Sequence, residues 1–168
     1  SYEIPQRQYV SGESHRYLGR QYRLKVLQSK DNKGSIHIAR KQITVFTRDK
    51  KDCEKVKKLL DDWMRERAYA IFAERVVEWH PRFERYDILY PQVIVRKMKS
   101  RWGSCTAKGK ITLNLKLIQV PKQLIDYIIV HELCHLVEHS HAPEFYALMS
   151  RIMPDWEERR EKLNEFEF

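Results

Sequence analysis

The chain reads as an α+β fold: amino-terminal antiparallel strands, a long amphipathic helix, a β-hairpin, a histidine-bearing helix and two more carboxy-terminal helices. Three changes of hydrophobic period carry that reading. Apolar residues alternate with polar ones over 9–47, recur every three or four residues over 52–79, and return to strand-like runs over 88–117. Helical spacing then resumes after Pro121.

The first stretch puts Tyr22, Leu24 and Val26 on one face and Arg23 and Lys25 on the other, and Ile36, Ile38, Ile43 and Val45 continue the pattern. Gly19 and the DNKG loop at 31–34 separate the strands, so an antiparallel meander is expected over 1–47. His15 and His37 stand alone there and read as ordinary strand or surface histidines. From 52 to 79, Val56, Leu60, Trp63, Ala68, Ile71, Phe72, Val76 and Trp79 share one helical stripe, which His80-Pro81 ends because a residue before proline disfavours the helical region. Its aromatic members could stack on nucleic-acid bases, but their place on the apolar face assigns them to a core.

Residues 88–98, centred on Val93, Ile94 and Val95, and residues 111–117 read as the two strands of a hairpin, with Trp102-Gly103-Ser104 near the bend. Pro121 suits the first position of the next helix, whose apolar side is Leu124, Ile125, Ile128, Ile129, Leu133 and Leu136. Ala142-Pro143 redirects the chain, and helices are expected around 144–152 and from 154 or 155 to about 166. No repeat or linker divides the sequence, so one domain over 1–168 is expected, with strands in 1–47 and a helix plus site-bearing core in 52–168.

Composition narrows the class. A chain of 168 residues, 42% of them hydrophobic, buries one proper core and leaves no room for a second catalytic domain. It has no apolar run of about 18 residues, and SYEIPQRQ lacks the features of an export signal, so no membrane partner is expected; the start at Ser1 allows for an upstream segment. Cys53, Cys105 and Cys134 are odd in number and form no CxxC pair, which argues against a disulfide framework and for a reducing, cytoplasmic setting. The net charge of +9 is uneven: residues 1–120 carry 27 Lys or Arg against 13 Asp or Glu, and residues 121–168 carry 5 against 10. Such a basic body attracts nucleic acid, nucleotides or anionic proteins, or is simply the solvated surface of a basic protein.

The chemistry is concentrated in HELCHLVEHSH, residues 131–141. His131 and His135 are one helical turn apart on one face, close enough to bind a single divalent ion, and Glu132 stands beside them as a general base for water. A catalytic zinc site takes three protein ligands and leaves one position open. Glu138 and His139 are excluded on an unbroken helix, since the rise of about 1.5 Å per residue carries them roughly 10 and 12 Å from His131. If the helix breaks near His139, His141 can turn back to the ion, giving the ligand spacing of the metzincin motif but with Glu138 where that motif has glycine. Glu144, Glu157 and Glu158 are the rival third ligands. Cys134 points away from the metal face and reads as core.

Several segments together resemble a known family: MKSRWGSC (98–105), ITLNLKLI (111–118), VPKQLIDYIIVHELCHL (120–136), HSHAPEFYALM (139–149) and SGESHRYLGRQYRLKV (11–26). They are similar to the YgjP-like metallopeptidase-domain family, also called DUF45 or M48-like predicted metal-dependent hydrolases, and more distantly to the SprT and WLM proteases. The resemblance implies a zincin-type core, one zinc or other divalent ion held by His131, His135 and His141, and Glu132 as base. Tyr146 stands where the family pattern has tryptophan.

A zinc peptidase acting on a protein or peptide is the leading functional reading. Arg101, Tyr127 or Tyr146 is a candidate to polarise the reacting carbonyl, and the strand and loop around Trp102 are candidates for the wall that pairs with an extended substrate. In the structural alternative, Trp102 packs under the turn and Arg101 holds a carboxylate. Two other functions fit the residues: a nucleotide phosphohydrolase using Lys97, Lys99 and Arg101 on phosphates, and a metal-stabilised module that binds nucleic acid without catalysis.

Overall fold

Alternation in the amino-terminal part produces four short strands, and two-residue turns pair them. β1 (Ser14–Tyr17) and β2 (Arg20–Gln28) form one antiparallel hairpin, and β3 (Ser35–Ala39) and β4 (Gln42–Thr47) form another. The computed structural model describes residues 6–31 and 33–166; Asn32, inside the expected DNKG loop, and the first five residues of SYEIPQRQ lie outside them. Both turns use positive φ at both positions, Leu18 (48°) and Gly19 (83°) in the first, Arg40 (49°) and Lys41 (64°) in the second. This is the signature of a type I′ turn, whose twist suits a hairpin and whose preferred pair is Asn-Gly. A residue with a Cβ in this region costs about 1 kcal/mol or more.

The expected meander is corrected by the strand order. The sheet runs β1-β2-β4-β3, and β2 lies parallel to β4, with Leu24 opposite Ile43 and Val26 opposite Val45. Alternation tells which face a strand buries and nothing about its neighbour. β4 takes the interior because Ile43, Val45 and Thr47 are all buried, whereas β3, with Ser35, His37 and Ala39 exposed, tolerates the edge. The inward face packs on the first turns of α1 (Cys53–Trp79) through Val56 and Leu60. His15 is buried on β1, its Nε2 2.7 Å from Glu13 Oε1. These elements belong to one compact unit, Ser1–Met64; α1 continues into a second, Arg65–Phe168.

In the second unit α1 buries Ala68, Ile71, Phe72 and Val76 and gives way at Pro81 to a 3₁₀ turn, His80–Tyr86. Three strands follow, β5 (Gln92–Arg96), β6 (Gly103–Cys105) and β7 (Lys110–Asn114), in the order β5-β7-β6. The hairpin therefore joins β6 to β7, with Ser104 opposite Thr112, while β5 pairs with β7 in parallel, Val93 opposite Ile111. Three residues of β6 are too few to show a period, which is why the segment reads as a bend in sequence. On the far edge of β5, the Tyr69 hydroxyl accepts from Val95 N–H (3.2 Å) and Arg65 Nη1 donates to Val95 O (3.2 Å).

β7 stops at Asn114, short of the expected strand end at 117, and a 3₁₀ turn, Leu115–Gln119, replaces the remainder. Asn114 causes both events from a fully buried position. Its Oδ1 accepts from Lys116 N–H (3.0 Å), and its Nδ2 donates to Met98 O (3.0 Å) and Arg101 O (2.7 Å), pinning the loop before β6. Three helices complete the unit: α2 (Lys122–His135), α3 (Pro143–Ile152) and α4 (Trp156–Asn164). Arg75 on α1 grips the buried Asp126 on α2 through two hydrogen bonds, 2.6 and 2.9 Å. Among the described residues no helix is long and apolar enough to cross a membrane.

Replacing Arg40-Lys41 with Asn-Gly should raise the free energy of unfolding by about 1 kcal/mol. Urea denaturation of the double variant measures this, and a lower midpoint would contradict the turn assignment.

Candidate metal centre

The site begins where α2 ends. The helix stops at His135, ahead of the expected break near His139, and one further turn follows in which Glu138 N–H bonds Cys134 O at 2.8 Å. His135 Nδ1 lies 3.2 Å from Glu138 O. A carbonyl only accepts, so Nδ1 carries the proton and Nε2 presents a lone pair. Glu138 thus acts through its backbone, orienting an imidazole.

Past this turn His141 comes back to the end of α2. Its Nε2 is 3.0 Å from His135 Nε2 and 3.3 Å from His131 Nε2, and the three candidate ligand atoms lie within 4.8 Å of one another. Nitrogens about 2.0–2.1 Å from one tetrahedral ion are spaced by about 3.3 Å, so the donor set fits a single divalent ion. Burial, reinforced by His135 and His141, pushes His131 down to about 3, and burial lowers His135 as well, so both rings keep their lone pairs at neutral pH. Among the described residues Glu144, Glu157 and Glu158 are not in this group, and neither are Glu138 and His139.

One residue missed in the sequence lies beneath all three rings. Phe145, on α3 and fully buried, stacks on His135 (centroids 4.5 Å apart, 25°) and meets His131 and His141 edge-on at 4.9 and 5.1 Å. The available signal was the helical spacing of Phe145, Leu148 and Met149, all three buried.

Glu132 follows His131 directly and is turned about 100° around the helix, towards β6. It is 5% exposed, and burial raises its carboxyl to about 7, against the opposing pull of Arg101. Gly103 makes this placement fit: a Cβ there would stand 3.2 Å from Glu132 Oε2 and 3.1 Å from Ile128 Cγ2. His131, Glu132, His135, His139 and His141 face Arg101, Gly103, Ser104 and Cys105 across a cleft of about 520 Å³.

The remaining candidates divide between cleft and support. Arg101 lines the cleft; Trp102 does not, and its carbonyl accepts from Asn114 N–H at 2.9 Å. Tyr127, buried one turn before His131, sets its ring 6.0 Å from that histidine, and burial pushes its hydroxyl up to about 12. Tyr146 stacks on His141 (6.3 Å) and on Trp156 (5.5 Å). Neither tyrosine lines the cleft, and neither do the exposed Lys97 and Lys99. Cys134 is fully buried.

Converging imidazoles with a buried carboxyl beside them are an arrangement suited to metal-dependent hydrolysis. The chain belongs to the YgjP-like metallopeptidase-domain family, whose model matches residues 2–166. Comparison with curated proteins gives no match. Among solved structures the chain is similar to the metallopeptidase zymogen of Pyrococcus abyssi abylysin, with 20% identity and a TM-score of 0.43, over 61% of this chain and 90% of that one.

Phe145→Ala should destabilise the protein by about 3–4 kcal/mol, since it removes a fully buried ring and leaves a cavity under the imidazoles. Chemical denaturation would show this, and a loss below about 1 kcal/mol would mean that Phe145 is not packed as described.

Proposed function

We propose that the protein is a zinc metallopeptidase in which His131, His135 and His141 hold one ion and Glu132 is the general base. The observation that carries this reading is the convergence of three histidine ring nitrogens within 4.8 Å, next to a carboxyl raised to about 7. A divalent ion held there supplies an electrophile for the substrate carbonyl and makes water acidic enough to attack near neutral pH.

The chain's own residues supply the rest. Glu132 accepts the proton of the attacking water on its carboxylate and returns it to the departing amide nitrogen; a carboxyl poised near neutrality serves both steps. Arg101 faces the same cleft and stabilises the oxyanion. β6, paired with β7 on one side, offers its other edge to an extended peptide, which favours a polypeptide substrate over a nucleotide. Tyr127, Tyr146 and Phe145 hold the imidazoles in place. The family match spans both compact units, which supports treating 1–168 as one metallopeptidase-like domain. Three free thiols suit a cytoplasmic setting.

Glu132→Gln should keep zinc in metal analysis and lower hydrolysis of an unfolded protein by roughly 10²-fold or more. Equal turnover by variant and wild type would remove Glu132 as base, and hydrolysis of nucleotides but never of protein would overturn the peptidase. His141→Ala should lose zinc while Glu144→Ala retains it; the opposite pattern would transfer the third ligand to the carboxylate.

A further inference from the structure

None of the four amino-terminal strands contains an Asp or Glu. With Leu24, Val26, Ile43 and Val45 turned to the core, the register sets Ser14, Arg23, Gln42 and Ala39 in one row across the opposite face. Lys25 stands in the next row beside Thr44 and His37. Arg23 and Lys25 are exposed. Arg40 and Lys41, also exposed, form the β3–β4 turn beside the Ala39–Gln42 end of that row, where Lys41 O accepts from Arg23 N–H at 2.8 Å.

Those two turn residues occupy left-handed positions that favour Asn-Gly. Keeping two long cations there, against local preference, points to a use for their side chains. The same face carries apolar surface: Leu27 is 36% exposed and lies opposite the half-buried Phe46.

We infer that this sheet face binds single-stranded nucleic acid, with Arg23, Lys25, Arg40 and Lys41 on the phosphates and Leu27 and Phe46 against the bases. Charge complementarity selects a polyanion, because the face is basic and its strands are free of acids. The apolar pair within the basic field favours unpaired bases, which offer flat faces for contact, over duplex phosphates. A row across four strands spans about 14 Å, the axial length of about four nucleotides of one strand. The inference goes beyond the metal site and requires no turnover.

The test is fluorescence anisotropy of a labelled oligothymidylate of about 20 nucleotides, titrated with the full chain over a salt series. Binding should weaken with salt, with a slope that falls by about 0.7 for each phosphate contact removed. Arg40→Asn with Lys41→Gly, which preserves the fold, and Arg23→Ala with Lys25→Ala should each weaken binding on the order of tenfold at about 0.1 M salt. Lys55→Ala with Lys58→Ala, at exposed positions of α1, should leave it nearly unchanged. Wild-type affinity in both sheet variants, equal weakening in the α1 variant, or no binding at low salt would overturn the proposal. So would tighter binding to duplex of the same length or to phosphatidylserine vesicles. Because anisotropy reads binding alone, failure here leaves the peptidase reading untouched, and the reverse also holds.

Discussion

Three imidazoles on one helix end and the loop behind it stay together only if something fixes their planes, and the ring of Phe145 does so. It stacks on His135 and meets His131 and His141 edge-on, so all three rings share one rigid support. Everything around that support serves its position. Arg75 and Asp126 join α1 to α2, Tyr146 braces His141 from α3, and the Glu138 carbonyl selects the tautomer of His135. Such packing limits the rearrangement needed before the donors can share an ion.

The opposite wall depends on two small groups. Asn114 ties Met98 and Arg101 to the end of β7 from a fully buried amide, which determines where Arg101 enters the cleft. Gly103 lets β6 approach α2 closely enough to cover Glu132. Strand backbone covers most of that carboxyl, and its elevated pKa follows from this burial.

Much of this was legible in the residues, and the divisions have physical causes. Helical period placed α1 and α2 to within a few residues, because a long apolar stripe is a strong signal, and Pro143 and Pro154 marked the starts of α3 and α4. His131, Glu132 and His135 could be grouped because their spacing is local to one helix. His141 needed a helix break, and the sequence put that break too late because the turn that follows His135 is set by a side-chain-to-backbone bond, which has no period. The expected meander missed the β2–β4 pair, and the expected hairpin gave β5 its right partner, β7, in the wrong direction, since alternation carries no information about pairing order or direction. Phe145 and Asn114 escaped notice because their roles arise from contacts distant in sequence.

The three-stranded sheet has two edges, and they are treated differently. On β5, Tyr69 and Arg65 occupy the outward backbone groups of Val95, whereas β6 has no strand on its outer side among the described residues. The sheet is therefore a one-sided socket: any segment that extends it must lie along the strand that covers Glu132. Self-association by strand addition would consequently occlude the cleft, so growth of an assembly at this edge and turnover at the adjacent site are mutually exclusive uses of the same backbone.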